Sequence, residues 1–444
     1  MDSKQDMAQK LAVVILAAGK GTRMKSSLPK VMHELAGRPM ISWLLETVEE
    51  LAPQKIIIVA GPDMESLAQA VKPYPVVIQD TQNGTGDAVK PALPLLEGFD
   101  GKVLILMGDE PFVKTDALRA MLAEEGVSVM AVEPFVSKGL GRMVVDRDGM
   151  LESIIEDKDA GPAEKEISLC NAGNYCVPAD RLAGWIDRIG NDNAQKEYYL
   201  TDLPKVAARE GVKTRVVNAG FVVGWGVNTR SELAAHEHQL QNMLREKAME
   251  EGAALKDPHT VYFNWDTKLG KDVTIGQNVV FGAGVDVGDG AVIHPFCHLE
   301  GVKVGKNAQI GPFARLRPGT VLGEDSKIGN FVEVKNTSLG KGAKANHLSY
   351  IGDASVGAGS NIGAGTITCN YDGFDKHKTK IGEGVFVGSN ATLVAPLSIE
   401  DGAYIAAGSA ITEDVPANAL SLARSRAIVR DGWASAYRNR KAKK

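Results

Sequence analysis

The first half of the chain alternates short apolar runs with amphipathic stretches. The runs are LAVVIL, KIIIVAG, YPVVIQD, KVLILMGD and VSVMAVE, and the stretches between them include MISWLLETVEELA and ALRAMLAEE. Strands of a parallel sheet are buried on both sides and therefore form nearly continuous apolar runs, while the connecting helices are amphipathic. The pattern predicts repeated βαβ units, with ligands bound at the carboxyl ends of the strands.

The pattern changes at residue 229, where a charged, glycine-poor and periodic stretch begins. This stretch predicts a long linking helix over residues 229–254. The helix separates a first domain, residues 1–228, from a second domain, residues 255–425. A tail of interleaved basic and aromatic residues, 426–444, follows, and it is typical either of a contact with another subunit or of a solvated end.

The second domain repeats with a period of six residues. An aliphatic or aromatic residue precedes glycine at Ile275, Phe281, Val287, Val304, Ile310, Leu322, Ile328, Ile362, Ile381 and Val387, and a small or β-branched residue stands four places after each. An amphipathic helix cannot keep a six-residue period over this length, whereas a parallel β-helix places one repeat on each flat face of a triangular coil. A turn-rich β-sandwich is the alternative, but it would not hold the register.

Length, charge and cysteine content limit the kind of protein. The 444 residues exceed what one core usually organises, and the formal net charge of −5 gives no general attraction to nucleic acid or anionic membranes. The four cysteines contain no C-x-x-C pair, so we expect reduced thiols. Because neither a signal-like segment nor a membrane-spanning run is apparent, we expect a soluble, cytoplasmic protein without membrane insertion.

A glycine-rich loop, LAAGKGTRMKSSLPK, follows the first predicted strand. Its glycines allow backbone amides to turn toward phosphate groups, and Arg23 and Lys30 supply positive charge. The loop lacks the spacing of a P-loop and of a dinucleotide-binding fingerprint. It therefore predicts an anion-binding loop of another kind, and a βα turn with a solvated basic helix start is the alternative.

An aspartate, Asp109, ends the apolar strand in LILMGDEP. A carboxylate at this edge of a parallel sheet suits Mg²⁺, which needs one or two protein oxygens in addition to substrate phosphates. The alternative is a helix cap or a turn. In the second domain, KANHLSYIGD and CNYDGFDKHKTK interrupt the six-residue repeat, and segments that leave a rigid scaffold commonly carry function.

These motifs resemble known enzymes. The loop resembles the signature of sugar-nucleotide pyrophosphorylases, and RLRPG, NFVEVKN, NHLSYIGD and NIGAGTITCNYDG resemble the bacterial family of bifunctional N-acetylglucosamine-1-phosphate uridylyltransferases and glucosamine-1-phosphate N-acetyltransferases. The resemblance extends from about Ala12 to about Arg424. It implies a Rossmann-like nucleotidyltransferase domain, a left-handed parallel β-helix acetyltransferase domain, a homotrimer, UTP and acetyl-CoA as donors, and Mg²⁺.

The resemblance also implies the residues of the first site. Arg23 and Lys30 would be catalytic, and Asp109 and Asn228 would hold the metal. Contacts to UTP and the UDP-sugar would come from Leu16, Ala17, Ala18, Gly19, Lys30, Gln79, Gly84, Thr85, Gly86, Gly141, Glu156, Asn171 and Asn228. Within this set, Gln79 and the GTG segment resemble the part that recognises uracil. Asp87 and Trp225 depart from the family pattern, in which histidine and glutamate are frequent.

Acetyl transfer to an amine requires removal of a proton from the ammonium group, and histidine titrates near neutrality. His347 is therefore the candidate general base. Arg317, which stands where the repeat elsewhere has glycine, and Lys335 are candidates for phosphate recognition. The resemblance assigns Tyr350, Asn361 and Lys376 to the amino sugar, and Ala364, Asn370, Tyr371, Ser389, Ala407 and Arg424 to acetyl-CoA, with Asn370 and Tyr371 also near the sugar.

Three functions agree with the sequence. The first is a bifunctional enzyme that acetylates glucosamine 1-phosphate and then converts the product to UDP-N-acetylglucosamine. The second is a pyrophosphorylase whose β-helix only assembles subunits, which leaves His347 and Arg317 without a purpose. The third is a non-catalytic nucleotide-sugar sensor, which would not need Asp109 together with Arg23 and Lys30. A zinc site at His294 and His298 is disfavoured because no helix holds them together.

Overall fold

The computed structural model describes residues 10–135, 137, 139–193, 195–222 and 226–442. Their contacts divide the chain into two units between Leu240 and Gln241. Across the described residues, helices that combine the length and the apolar character needed to cross a membrane do not occur.

The first unit is built on a nine-stranded mixed sheet in which β11, β7, β10, β6, β1, β4 and β5 are neighbours in that order, with β8 and β9 at the side of β10. Strands β1, β4, β5 and β6 are parallel, as the apolar runs predict. The strands of this sheet are β1 Leu11–Leu16, β4 Lys55–Ala60, β5 Val76–Ile78, β6 Lys102–Met107, β7 Val127–Pro134, β8 Arg142–Val145, β9 Leu151–Ile155, β10 Cys170–Pro178 and β11 Thr214–Val222. A separate two-stranded sheet is formed by β2 Glu34–Leu35 and β3 Arg38–Pro39.

Helices cover both faces of the nine-stranded sheet, so the central strands are buried on both sides. In β1, Ala12 and Val14 belong to one apolar core, and Val13 and Ile15 belong to the other. This double burial explains the continuous apolar runs. The helices are α1 Met40–Glu49, α2 Glu65–Ala70, α3 Thr85–Val89, α4 Leu93–Leu96, α5 Thr115–Ala123, α6 Pro162–Lys165, α7 Ala179–Ile186 and α8 Leu203–Ala208.

The predicted linking helix is present as α9, Arg230–Glu250. It begins with a capping box, because the Glu232 carboxylate accepts hydrogen bonds from the Asn228 and Thr229 amides, at 2.6 and 2.9 Å. The prediction extended it to residue 254. It ends earlier because Gly252 adopts a φ of 107° and Ala254–Leu255 pairs with the first coil of the second unit.

The second unit is a parallel β-helix with three flat faces, each a parallel sheet. The first face contains Ala254–Leu255, Thr274–Ile275, Val292–Ile293, Gln309–Ile310, Lys327–Asn330, Lys344–His347, Asn361–Ile362, Phe386–Val387, Tyr404–Ile405 and Leu420–Ser421. The second contains Lys268–Leu269, Asp286–Val287, Val302–Val304, Thr320–Leu322, Ser338–Leu339, Ala354–Val356, Thr379–Ile381 and Leu397–Ile399. The third contains Val280–Phe281, His298–Leu299, Arg315–Leu316, Glu333–Lys335, Tyr350–Gly352, Ile367–Cys369, Thr392–Val394 and Ala410–Ile411.

The repeated aliphatic residues fill the axis of the β-helix. Ile275, Ile293, Ile310 and Ile328 follow one another on the first face, and each is almost completely buried. Each coil therefore covers the core of the coil before it, which explains why the spacing is kept over so many repeats.

One corner of the β-helix carries a column of exposed apolar side chains. Phe296, Phe313, Phe331 and Leu348 stand at successive coils with positive φ, and they are 46–62% exposed. The rings of Phe296 and Phe313 stack at a centroid distance of 4.8 Å, and those of Phe313 and Phe331 stack at 5.1 Å. We call these four residues the corner column.

Only one of the two predicted interruptions leaves the coil. The stretch around His347 was predicted to interrupt the repeat, but it forms the strand Lys344–His347 in register with Lys327–Asn330. The prediction was wrong here because the pairing of Asn330 with His347 prolongs the strand. The second interruption lies between Cys369 and Thr379, and it makes Asn361 pair with Phe386 on the next coil.

A last helix, α10 Trp433–Ala442, follows the β-helix and is exposed.

Candidate active sites

The first unit contains a pocket of about 690 Å³ at the carboxyl ends of β1 and β6. The predicted residues that line it are Leu16, Ala17, Ala18, Gly19, Arg23, Lys30, Gln79, Gly84, Thr85, Asp109, Glu156 and Asn228. They come from five separate segments of sequence, which the parallel sheet brings to one edge. This is the edge at which open α/β sheets bind ligands.

The glycine-rich loop forms one wall of this pocket. Gly21 has a φ of 58°, and a Cβ atom there would lie 2.8 Å from the Lys30 Cβ, so only glycine allows this close approach. None of the described residues accepts a hydrogen bond from the amides of Lys20, Gly21 and Thr22. These amides and the neighbouring cations suit the phosphate groups of a nucleotide.

Four charged or polar side chains meet at the end of β6. Lys30 Nζ pairs with Asp109 Oδ2 and donates a hydrogen bond of 3.0 Å to Asn228 Oδ1, to which Arg23 Nη2 also donates at 2.8 Å. The Asp109 and Asn228 oxygens thus share one cation already. One carboxylate oxygen and one amide oxygen fit Mg²⁺, whose remaining ligands are water and substrate phosphate.

Asn228 is held by the start of α9. The Glu232 carboxylate accepts a hydrogen bond from the backbone N–H of Asn228, and the backbone N–H of Val227 donates to the backbone carbonyl of Asp109 at 3.0 Å. The capping of the helix therefore also positions a candidate metal ligand. Trp225, where the sequence departs from the family pattern, lies outside the described residues.

The segment expected to contact the base packs on a distant part of the chain. The Gly86 amide donates to the Tyr198 carbonyl at 2.7 Å, and a Cβ atom at Gly84 would lie 2.6 Å from that oxygen. Glycine is therefore required at position 84 by packing as well as by its φ of 112°.

The three residues expected to contact the sugar are neighbours, although only Glu156 lines the pocket. The Asn171 amide donates to the Gly141 carbonyl at 2.8 Å, and a Cβ atom at Gly141 would lie 3.7 Å from Glu156 Oε1. Burial raises the pKa of Glu156. Its carboxyl group lines the pocket and is suited to hydrogen bonds with sugar hydroxyls.

Several residues of the pocket were not identified from the sequence. Glu197 and Tyr199 line it, as do Thr81 and Gln82, and Gln82 Nε2 donates to the Ala18 carbonyl at 2.6 Å. Glu197 and Tyr199 are distant from every recognised motif, so the sequence contains no signal for them. Thr81 and Gln82 lie between Gln79 and Gly84, which were both predicted to contact the base. Their place between two predicted residues could have identified them.

In the second unit, His347 lies at the end of its strand with an exposed side chain. Its Nδ1 is 2.7 Å from Asn330 Oδ1 on the preceding coil. Because a carbonyl oxygen only accepts, this contact assigns the proton to Nδ1 and leaves the Nε2 lone pair free to accept a proton. Asn330 was not predicted from the sequence. It is recognised only from its place beside His347 on the neighbouring coil, with which it is in register.

Three cations form a group near the third face of the β-helix. The pKa of Lys335 lies below its ordinary value, because its ammonium group meets that of Lys376 at hydrogen-bonding range and the two charges repel each other, and Arg317 adds to this effect. Arg317 Nη1 donates to Glu333 Oε1 at 2.8 Å. Clustered positive charges favour a bound anion, as the prediction of a phosphate site at Arg317 and Lys335 requires.

The segment between Cys369 and Thr379 brings Asn370, Tyr371 and Lys376 to the β-helix. Asn370 Nδ2 bonds to Asp353 Oδ2 and lies 3.5 Å from the Tyr350 hydroxyl. Within the segment, Asp372 accepts hydrogen bonds from the Phe374 and Asp375 amides and lies 2.7 Å from His377 Nε2. The Asp375 amide and these other donors lower the pKa of Asp372.

The residues expected to contact acetyl-CoA follow one another on later coils of the same corner that carries the corner column, between the first and third faces. The Asn390 amide donates to the Ala364 carbonyl at 2.7 Å, and the Gly408 amide donates to the Ser389 carbonyl at 2.8 Å. Arg424 Nη1 donates to the Ala407 carbonyl at 2.9 Å. Asn361 lies one coil before Phe386 in the same register.

Two family models match the chain. Residues 13–161 match the MobA-like NTP transferase domain. Residues 266–301, 301–336 and 378–413 match the bacterial transferase hexapeptide of six repeats. These matches and the three parallel sheets confirm the predicted fold class, a nucleotidyltransferase domain followed by a left-handed parallel β-helix.

Curated relatives match almost the whole chain. The bifunctional protein GlmU of Paramagnetospirillum magneticum is 51% identical over 443 residues, which are 98% of this chain and 98% of the relative. That of Sphingopyxis alaskensis is 50% identical and covers 99% of this chain and 98% of its own. That of Zymomonas mobilis is 46% identical, with 98% coverage of both. The chain therefore belongs to the GlmU family of bifunctional proteins.

Proposed function

We propose that the protein makes UDP-N-acetylglucosamine in two steps, at one site in each unit. The second unit transfers the acetyl group of acetyl-CoA to glucosamine 1-phosphate. The first unit then transfers uridylate from UTP to N-acetylglucosamine 1-phosphate and releases pyrophosphate. The observation that carries the proposal is the meeting of Arg23, Lys30, Asp109 and Asn228 in one pocket of a chain that is 51% identical to a bifunctional relative over 98% of its length.

In the first site, an oxygen of the sugar phosphate attacks the α-phosphorus of UTP, and the bond to pyrophosphate breaks. The attacking phosphate is already ionised, so the protein contributes position and positive charge. Arg23 and Lys30 stabilise the charge on the phosphates, together with the free amides of the glycine-rich loop. Mg²⁺, held by Asp109 and Asn228, would neutralise further phosphate charge.

In the second site, His347 Nε2 accepts a proton from the ammonium group of glucosamine 1-phosphate. The free amine then attacks the thioester carbon, the C–N bond forms, and CoA leaves as a thiol, because the C–S bond breaks and the second proton of the attacking nitrogen passes to the sulfur. Arg317 and Lys335 bind the sugar phosphate, Lys376 contacts the amino sugar, and the segment around Asn370 and Tyr371 contacts sugar and acetyl-CoA. The corner with Ala364, Ser389, Ala407 and Arg424 binds the rest of acetyl-CoA.

Assembly as a homotrimer accompanies this function. The corner column is exposed in the single chain, and contiguous apolar side chains on a surface favour contact with another protein surface. A second copy of this chain would cover the column, and threefold symmetry would close the assembly.

The substrates UTP and acetyl-CoA are cellular metabolites, which supports a cytoplasmic location.

Product identification separates this function from its alternatives. The protein is given acetyl-CoA with glucosamine 1-phosphate, and separately UTP with N-acetylglucosamine 1-phosphate and Mg²⁺. The proposal predicts N-acetylglucosamine 1-phosphate and CoA from the first mixture, and UDP-N-acetylglucosamine and pyrophosphate from the second. A pyrophosphorylase would react only in the second, and a sensor would bind without turnover.

A further inference from the structure

Asp87, a carboxylate that departs from the family pattern, is hydrogen-bonded to the segment expected to contact the base. Its Oδ2 accepts hydrogen bonds from Gln79 Nε2 at 2.9 Å, from the Thr81 hydroxyl at 3.0 Å and from the Asn83 amide at 3.2 Å. The other oxygen, Oδ1, lies 3.9 Å from Lys90 Nζ. Asp87 thus connects the start of α3 to most of the preceding loop.

This carboxylate is ionised at neutral pH. Burial raises the pKa of Asp87, but the hydrogen bonds from Gln79, Thr81 and Asn83 outweigh burial and hold it below the ordinary value. An ionised carboxylate only accepts hydrogen bonds. The group that faces it on Gln79 must therefore be the NH₂ group.

A second acceptor fixes the same end of the Gln79 amide. Nε2 also donates to the Gly84 carbonyl at 3.1 Å, so both of its hydrogens have partners. Because both partners are obligate acceptors, the amide cannot be turned around. Gln79 Oε1 has no hydrogen-bond partner among the described residues, and Gln79, which is only 5% exposed, lines the pocket.

We infer that Asp87 is a positioning residue, which orients the Gln79 amide so that only an acceptor oxygen is offered to the base. The inference rests on the proposed uridylyl transfer. Uracil carries a donor, N3–H, on its pairing edge, whereas cytosine has an acceptor at the same position. An oxygen that cannot be exchanged for an NH₂ group therefore favours UTP over CTP.

The test compares kcat/KM for UTP and CTP in the wild-type enzyme and in Asp87→Ala. Removal of the carboxylate leaves one of the two acceptors, so the Gln79 amide can turn and donate to cytosine. We expect the UTP-to-CTP ratio to fall about tenfold, since a charge-assisted hydrogen bond is lost. Asp87→Asn keeps the volume without the charge, and we expect it to give an intermediate ratio.

The control is Asp80→Asn, the same chemical change at an exposed position of the same segment. It should leave the ratio unchanged, and acetyl transfer measured on every variant shows that the chains are intact. Equal losses for UTP and CTP in both Asp87 variants, or an equal fall of the ratio in Asp80→Asn, would overturn the inference. Failure of the wild-type enzyme to use UTP would instead disprove the proposed function.

Discussion

At the scale of single residues, each candidate site depends on a reactive side chain that is hydrogen-bonded to a neighbouring side chain. Lys30 shares its ammonium between Asp109 and Asn228, and Asn330 fixes the proton of His347 on Nδ1. These partners are brought together by strand register and by the edge of a sheet. Mutation of one member of each pair is therefore informative.

Asp109→Ala should reduce uridylyl transfer by at least about 10²-fold, because it removes the only carboxylate in the proposed metal site and leaves Lys30 without its ion-pair partner. Acetyl transfer should remain. The measurement is pyrophosphate release at saturating Mg²⁺, with Asp116→Ala, an exposed aspartate of α5, as control. Near-normal release by Asp109→Ala would exclude this metal site.

His347→Ala should reduce acetyl transfer by about 10²-fold or more and leave uridylyl transfer intact. The measurement is kcat/KM for acetyl transfer, beside pyrophosphate release by the same protein preparation. An unchanged rate of acetyl transfer would remove His347 from the mechanism.

Asn330→Ala tests the orientation of the imidazole separately from its presence. Without the acceptor, the Nδ1 proton is no longer favoured, so we expect about a tenfold loss in kcat for acetyl transfer, smaller than the loss in His347→Ala. Both KM values should change little. A loss that appears only in KM would show that Asn330 binds substrate and does not orient the base.

At the scale of elements, the β-helix derives its stability from coils that cover one another. Ile310→Ala removes a buried side chain between two neighbouring coils and should lower the free energy of unfolding by about 2–5 kcal/mol. Gln309→Ala, on the outward side of the same strand, should cost less than about 0.5 kcal/mol. Denaturant unfolding followed by circular dichroism measures both changes, and equal costs would contradict this account of the core.

The conformation of the inserted segment between Cys369 and Thr379 should depend on Asp372. The Asp372 carboxylate accepts hydrogen bonds from two backbone N–H groups of the segment and from His377. Asp372→Ala should raise the KM values of acetyl transfer by about tenfold, because the segment that carries Asn370, Tyr371 and Lys376 loses its internal support. Uridylyl transfer and thermal stability should change little. The matched control, Asp375→Ala, removes a neighbouring carboxylate, and an equal effect there would refute the role of Asp372.

The sequence predicted elements wherever burial imposes a period, and it missed contacts that arise between elements. The apolar runs of β1, β4 and β6 and the six-residue repeat follow directly from burial, and α9 was predicted apart from its end. The pairing of Asn330 with His347 depends on coil register, and the packing of Tyr198 on Gly86 depends on tertiary structure. Local pattern contains neither.

The assignment of site residues had a similar limit. Arg23, Lys30 and Asp109 carry their own signals, a charged loop after a strand and a carboxylate at a strand end. Asn228 lies far from these three residues in the sequence, and the fold brings it next to them. Only the family resemblance indicated that Asn228 belongs to the site. The orientation of Gln79 by Asp87 requires two simultaneous hydrogen bonds, so no spacing rule reveals it.

At the scale of the whole molecule, we expect a trimer with a mass three times the 47.2 kDa of the chain. Phe313→Asp in the corner column should weaken the assembly, because it places a charge in the proposed contact, and aspartate tolerates the positive φ of that position. Sedimentation measures the mass, and acetyl transfer should fall with dissociation.

Val321→Asp is the control, since Val321 is an equally exposed apolar residue on the second face. It should remain trimeric. Dissociation by Val321→Asp alone would place the contact on the second face, and a stable, active wild-type monomer would exclude the trimer altogether.

The cap of α9 also determines how genes of this family can recombine. A junction placed at residue 228 would separate Asn228 from Glu232, and a new partner sequence would have to supply a carboxylate four residues later. A junction inside α9, near the division between Leu240 and Gln241, leaves the cap with the first half and the bonds of Gln241 to Phe263 with the second. Functional chimaeras should therefore be those whose crossover points lie within the helix, and not at its first residue.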